Sequence, residues 1–230
     1  MEYYTIKQRK EVAQMMTDYN MYWERCWKEE EPEQLYKYLD SYYGIASKEL
    51  DVFKEYNVGS VCDAACGFGA YSLALATNGF DVYSFDISDT AVEITKNGLM
   101  KYGIESNNVK VADILDTGYM DAFFDGVIAH AVIDHLTMED AAKAMKELLR
   151  ITKPEGLVLI TFDIAEEEDY EEEHITFEDG TMEYIQGSRK GMLFRPHDWD
   201  MIDEFLGDCN MIYRGEKANR ERIVILKKRG

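Results

Sequence analysis

No stretch of this 230-residue chain sustains the run of about 20 apolar residues that a bilayer-spanning helix needs. Its opening residues, MEYYTIKQRKE, lack the apolar core of a secretion signal. Both absences lead to the expectation of a cytoplasmic protein with no membrane partner. Basic charge is also scarce: 25 Lys and Arg stand against 45 Asp and Glu, for a net charge of −20. Displacing counterions from a nucleic-acid backbone needs a Lys/Arg surface, so no nucleic-acid partner is expected. A neutral or cationic small molecule fits the charge better. The four cysteines, Cys26, Cys62, Cys66 and Cys209, form no C-x-x-C pair. Zinc-ribbon spacing is therefore absent, and the thiols read as reduced and mostly buried. Internal repeats are absent, and the one biased segment is the acidic run over 166–173.

What remains is ordinary for a globular protein: 46% hydrophobic and 30% charged residues. A chain of this length buries roughly 70–75% of its unfolded surface, so it folds without disulfides or metal. Residues 1–58 read as an N-terminal helical cap. Ala13, Met16, Trp23 and Trp27 fall on one helix face. Pro32 opens a second helix over 33–39, and a third covers 47–56.

From residue 59 to 230 a second pattern takes over. Strands are expected at 60–63, 81–85, 109–112, 124–129 and 157–162, with helices at 70–78, 90–102 and 138–151 between them. Ser88 or Asp89 and Thr137 serve as N-caps. Strand–helix alternation of this kind specifies a parallel sheet with helices on both faces. After Asp163 the pattern breaks. An insertion at about 164–195 contains a hairpin signal around Glu178-Asp-Gly180. A helix over 197–206 and an antiparallel strand pair at 211–214 and 222–226 close the chain.

Ligands of an open α/β sheet sit beyond the carboxyl ends of its strands, at the switch in strand order. Here those ends carry Asp63, Asp86, Asp113, His130 and Asp163. The stretch Val61-Cys-Asp-Ala-Ala-Cys-Gly-Phe-Gly69 is a strand entering a glycine-bearing turn, and Val82-Tyr-Ser-Phe-Asp86 is a strand ending on one carboxylate. This βαβ geometry suits an adenosine-type ligand, because glycines admit the main chain and a carboxylate accepts two ribose hydroxyls.

Asp63-Ala-Ala-Cys-Gly-Phe-Gly69 resembles the D-x-G-C-G-x-G turn of class I S-adenosylmethionine-dependent methyltransferases, of the type acting on small molecules. Asp86 resembles that family's ribose-binding acid, Asp113-Ile114 its adenine-contacting pair, and Phe124-Asp-Gly-Val-Ile128 its fourth strand. Lys153-Pro-Glu-Gly156 resembles its K-P-G-G turn. The resemblance spans about residues 58–163. It implies a Rossmann-like, seven-stranded, mostly parallel sheet of order 3-2-1-4-5-7-6 with strand 7 antiparallel. It also implies S-adenosyl-L-methionine as cofactor, S-adenosyl-L-homocysteine as product, and cofactor contacts from Asp63, Ala65, Cys66, Gly67, Gly69, Asp86, Ile87, Asp113, Ile114, Ala129 and His130. Ala65 replaces the first glycine of the turn, where the required φ strains a residue bearing a Cβ.

Methyl transfer from a sulfonium is an in-line displacement of an activated leaving group, for which positioning supplies most of the effect. A general base is optional, and His130 stands where one would sit. His130-x-x-x-Asp134-His135 shows no complete ligand set, so no metal is expected. The tail of the fourth strand, Ala129-His-Ala-Val-Ile-Asp134, is not the [D/N]-P-P-[Y/F] of methyltransferases acting on base amino groups. Candidates for the acceptor side are Tyr22, Trp23 and Trp27 from the cap, His135, and Tyr184, Arg189 and Arg195 from the insertion. Two other readings stay open. A nicotinamide-dependent oxidoreductase would want a third glycine where the turn has Ser72. A non-catalytic module could bind the cofactor, or serve as an interaction protein, on the same fold.

Overall fold

A computed structural model describes residues 19–230. Ala13 and Met16 of the expected first helix lie outside the described residues. The chain is helical over 19–29 (α1) and continues into α2 (Pro32–Leu39), α3 (Lys48–Glu55), β1 (Ser60–Ala64), α4 (Ala70–Thr77), β2 (Asp81–Asp86), α5 (Asp89–Lys101), β3 (Val109–Val111) and β4 (Phe124–Ala129). Next come α6 (Met138–Ile151), β5 (Thr152–Asp163), α7 (Glu167–Glu171), β6 (His174–Thr176), β7 (Met182–Tyr184), β8 (Leu193–Phe194), α8 (Trp199–Leu206), β9 (Asn210–Glu216) and β10 (Glu221–Lys227).

Local chemistry starts the helices where the sequence signals them. The side chains of Ser47, Ser88, Thr137 and Asp198 each accept a hydrogen bond from a backbone N–H in the first turn of α3, α5, α6 and α8. Each such bond is worth about 1 kcal/mol against alanine. Pro32 opens α2, where its missing N–H costs nothing.

The main sheet has the order β3-β2-β1-β4-β5-β10-β9. Its first five strands are parallel, and β10 runs antiparallel to both β5 and β9. Counting only the strands of this sheet, that is the expected 3-2-1-4-5-7-6. Helices cover both faces. Val127, Val158, Phe162 and Val224 pack with Ala144, Leu148 and Ile202 of α6 and α8 on one side. Val61, Ile128, Leu159 and Ile223 pack with Phe53 and Leu75 of α3 and α4 on the other. A further cluster seats α2 on α4 and α5 through Leu35, Leu39, Leu73 and Leu99.

Three details differ from expectation. Strand β5 begins at Thr152, because Glu155 takes a left-handed φ of 67° and forms a bulge without ending the strand. The acidic run folds its centre into α7, capped reciprocally by Glu166 and Asp169. The insertion adds a third strand, β8, to the expected hairpin, giving a separate antiparallel sheet β6-β7-β8. Among the described residues, no helix is long and apolar enough to cross a membrane.

Candidate active site

Strand β1 lies between β2 and β4, so the direction of strand order reverses beside it. A largely apolar cavity opens at this point, beyond the strand ends. Its wall brings together Ala65, Gly67, Asp86, Ile87, Asp113, Ile114, Ala131 and Val132, and α1 closes it with Tyr19, Trp23 and Trp27.

Asp86 is the charged centre of this wall. It is 4% exposed, and both carboxylate oxygens are already engaged: Oδ2 accepts from the Gly67 N–H at 2.9 Å and Oδ1 from the Ser88 N–H at 3.0 Å. Burial pushes its pKa up, and the backbone N–H groups of Ser88, Gly67 and Ile87 pull the other way. Each oxygen keeps a second lone pair for a ligand hydroxyl. Asp113 turns its own chain by accepting from the Leu115 N–H at 2.8 Å.

The turn after β1 is shaped by more than a ligand's approach. Gly67 has φ +53°, and a Cβ there would lie 2.8 Å from the Trp27 ring. Its missing side chain thus admits α1 as well as the cavity's occupant. Gly69 has φ +87°, and a Cβ there would meet Thr95 at 3.0 Å, so this glycine serves the seating of α4 against α5. The Thr95 hydroxyl donates to the Gly67 carbonyl at 2.8 Å and sits 3.6 Å from Cys66 Sγ, which leaves the thiol as donor to Thr95. Ala65 and Ala131, both on the cavity wall, take left-handed φ angles of 57° and 48°. Strain of this kind collects at binding sites.

Helix α1 is tied down at three points. Glu24 accepts from the hydroxyls of Ser88 and Thr90 at 2.5 and 2.8 Å. Burial opposes its charge, but these bonds and Lys28 hold its pKa down to about 2. The Tyr19 hydroxyl accepts from the Thr137 N–H at 3.0 Å, and Arg25 donates to the Lys190 carbonyl at 2.6 Å.

Several residues singled out in the sequence stand off the cavity wall. Asp63 is 2% exposed behind it, accepting from the Ser72 hydroxyl at 2.6 Å, and burial raises its pKa to about 6. Cys66, Gly69 and Ala129 are likewise buried beside it. His130 turns away: its Nε2 meets Glu221 Oε1 at 3.0 Å and its ring rests 4.7 Å from that of Tyr71. Burial raises the Glu221 pKa, and His130 with Lys217 more than offsets it, leaving this carboxyl low. The imidazole expected to serve as a base is therefore taken up by a hydrogen bond to Glu221.

The insertion candidates are also turned inward. Tyr184 is fully buried in β7, and Arg189 covers its ring while pairing with Asp169 and Glu172. Arg195 is 7% exposed and donates to the Asp179 carbonyl. None of the three reaches the cavity. Tyr22 stacks edge-on against Trp23, which in turn meets the His135 ring at 5.2 Å. Trp23 and Trp27 alone of the expected acceptor-side set line the cavity. Tyr19, Phe85, Ala112, Leu115, Ala131, Val132 and Leu136 also line the wall and were not among the candidates; for Tyr19, the helical phase of α1 is a signal in the sequence.

A family profile described as "Methyltransferase domain" matches residues 62–160, which span β1 to β5 and carry most of the cavity wall. Residues 62–160 are thus similar to a methyltransferase domain. Among curated relatives of this domain, a tRNA (carboxymethyluridine(34)-5-O)-methyltransferase of Arabidopsis thaliana is 38% identical over 110 residues, 47% of this chain and 25% of that protein. The EEF1A lysine methyltransferase 2 of Danio rerio is 29% identical over 109 residues, 44% of this chain and 47% of that one. The chain thus spans a quarter to about half the length of these two relatives. The solved S-adenosylmethionine-dependent methyltransferase of Methanosarcina mazei shares the fold at a TM-score of 0.67 and 18% identity, over 80% of this chain and 98% of that one. The magnesium protoporphyrin IX methyltransferase of Synechocystis, solved with bound S-adenosylhomocysteine, superposes at 0.59 and 18% identity over 99% and 90%.

Proposed function

We propose that this protein transfers a methyl group from S-adenosylmethionine to a small-molecule acceptor in the cavity beneath α1. Bound there, S-adenosylmethionine would supply an activated methyl group for in-line displacement by an acceptor lone pair, with S-adenosylhomocysteine as the leaving group and any acceptor proton passing to solvent. Asp86 takes the two ribose hydroxyls as charge-assisted bonds. Asp113 accepts from the adenine amino group, and Ile87 and Ile114 pack on the ring. Ala65 and Gly67 give main chain to the methionine portion. No step calls on His130, because its imidazole is held by Glu221. Trp23 and Trp27 exclude water, and their ring faces suit an apolar or cationic acceptor.

The observation that carries this reading is the buried Asp86 carboxylate on the cavity wall, fixed by the glycine turn itself. The small-molecule acceptor is supported by the net charge of −20 and by the aromatic closure. One observation favours a tRNA acceptor instead: the 38% identity with the Arabidopsis enzyme. Calorimetry tests the cofactor. One equivalent of S-adenosylhomocysteine binds and NAD does not; no binding of the sulfur compound ends the proposal. Transfer of labelled methyl into tRNA, with none into a low-molecular-weight metabolite fraction, would replace the small-molecule acceptor by tRNA.

A further inference from the structure

Beside the cavity, the chain brings together three donors that the sequence keeps far apart. Asp134 and His135 lie on a single 3-10 turn, Ile133–His135, between the wall residues Val132 and Leu136. Asp163 ends β5. One ligand-type atom from each of Asp134, His135 and Asp163 lies within 4.8 Å of the other two.

Their hydrogen bonds leave one atom each of Asp134 and His135 open. His135 Nδ1 is 2.8 Å from the Leu193 carbonyl oxygen, which can only accept. Nδ1 therefore carries the proton, and in the neutral ring Nε2 keeps its lone pair. A carbonyl that fixes the tautomer in this way is the usual outer partner of a metal-bound histidine. Asp134 is 0% exposed; its Oδ2 accepts from the Asp163 N–H at 2.8 Å, but among the described residues no donor reaches Oδ1. The neighbouring carboxylate Glu221 has His130 and Lys217 as partners. Asp134 and Asp163 have no Lys or Arg partner among the described residues; Arg195, the nearest guanidinium in sequence to β8, is spent on the Asp179 carbonyl and His197 Nε2. Two adjacent, largely buried carboxylates without a cation are costly. A proton shared between them or a metal ion would offset that cost, and only a metal also uses the prepared imidazole.

We propose that Asp134, His135 and Asp163 bind one divalent first-row cation of the manganese type. Two carboxylate oxygens and one imidazole nitrogen suit such an ion, with water completing its shell. Bonds of about 2.1 Å hold donors no more than about 4.2 Å apart, so the three side chains close by less than about 1 Å. The sequence could not show this set: Asp134 and His135 made an incomplete motif with His130, and folding replaces His130 by Asp163.

The test uses the full chain and Mn2+, which avoids the four free thiols that compete for zinc. The signal of free Mn2+ in electron paramagnetic resonance falls by one equivalent on adding wild-type protein. Asp134→Asn and Asp163→Asn, both isosteric, each weaken that binding at least tenfold, while circular dichroism and S-adenosylhomocysteine binding stay as in wild type. No Mn2+ uptake by wild-type protein at 1 mM free ion overturns the proposal. So does uptake that survives in either variant, which would mark adventitious binding to the acidic surface.

Discussion

Replacing Ala65 by glycine tests whether the turn after β1 stores strain, and whether it accepts cofactor as it stands. Ala65 sits at φ 57° on the cavity wall. A left-handed conformation costs a residue with a Cβ about 1–2 kcal/mol. Glycine removes that cost but loses about 0.4–1 kcal/mol more entropy on folding. The balance favours Ala65→Gly by about 0.5–1 kcal/mol, or about 1–4 °C in Tm for a chain of this size. Ala122→Gly is the control: its φ of 53° is equally left-handed, yet it does not line the cavity. Both variants should melt higher than wild type in a calorimetric scan. Affinity for S-adenosylhomocysteine should stay within about threefold in both, because a methyl group at the wall carries neither charge nor hydrogen bond. A Tm for Ala65→Gly at or below wild type refutes the strain. A gain in affinity above tenfold refutes the view that the turn admits cofactor with the alanine in place.

Asp86→Ala removes the acceptor of two buried N–H groups and, on the proposed reading, of two ribose hydroxyls. Charge-assisted bonds are worth about 1.5–3 kcal/mol each, so S-adenosylhomocysteine binding should weaken at least tenfold, measured well below the lowered Tm. An unchanged dissociation constant removes Asp86 from the site. Asp63 gives a pH signature. Burial raises its native pKa to about 6 from 3.8, so the native state holds this proton more tightly than the unfolded chain does. The stability it contributes is fully present below about pH 3.8 and lost as pH rises through about 6, a swing on the order of 3 kcal/mol. Asp63→Asn keeps an acceptor for Ser72 and cannot ionise; its unfolding free energy should gain on wild type between pH 4.5 and 7.5. Equal differences at the two pH values would show that Asp63 has an ordinary pKa in the fold.

Much of the sheet was legible because parallel strands, buried on both faces, must be written as apolar runs, and helix starts as Ser, Thr or Asp. Val158 to Ile160 and the Thr137 cap are cases in point. The bulge at Glu155 was not, since Pro154 and Gly156 spell a turn as readily as a kink within a strand. Around the cavity, sequence reasoning found residues that a short motif fixes in the backbone, such as Gly67 and Asp86. It misplaced those whose direction depends on a distant partner. His130 is aimed by Glu221, 91 residues away, and Arg189 by Asp169 and Glu172. A titratable residue at a strand end has two fates, the ligand or a neighbour's counter-charge, and only the tertiary fold decides between them.

That choice also explains why charge sits unevenly around the strand ends. Parallel strands all deliver their carboxyl ends to one edge, so Asp63, Asp86, Asp113 and Asp163 crowd there whatever each one does. The fold handles them differently. Asp86 is held by the backbone N–H groups of Gly67 and Ser88, and Asp113 by the Leu115 N–H of its own turn; both lie on the cavity wall. Asp63 is closed off with Ser72 and Ser84, where burial favours the proton. Among the described residues Asp163 receives neither backbone donors nor hydroxyls on its side chain; it meets a second carboxylate, that of Asp134. Of the four, the acid with the least compensation from the chain is the one beside a tautomer-fixed histidine. An ion supplied from outside the chain is the compensation that this corner of the site lacks.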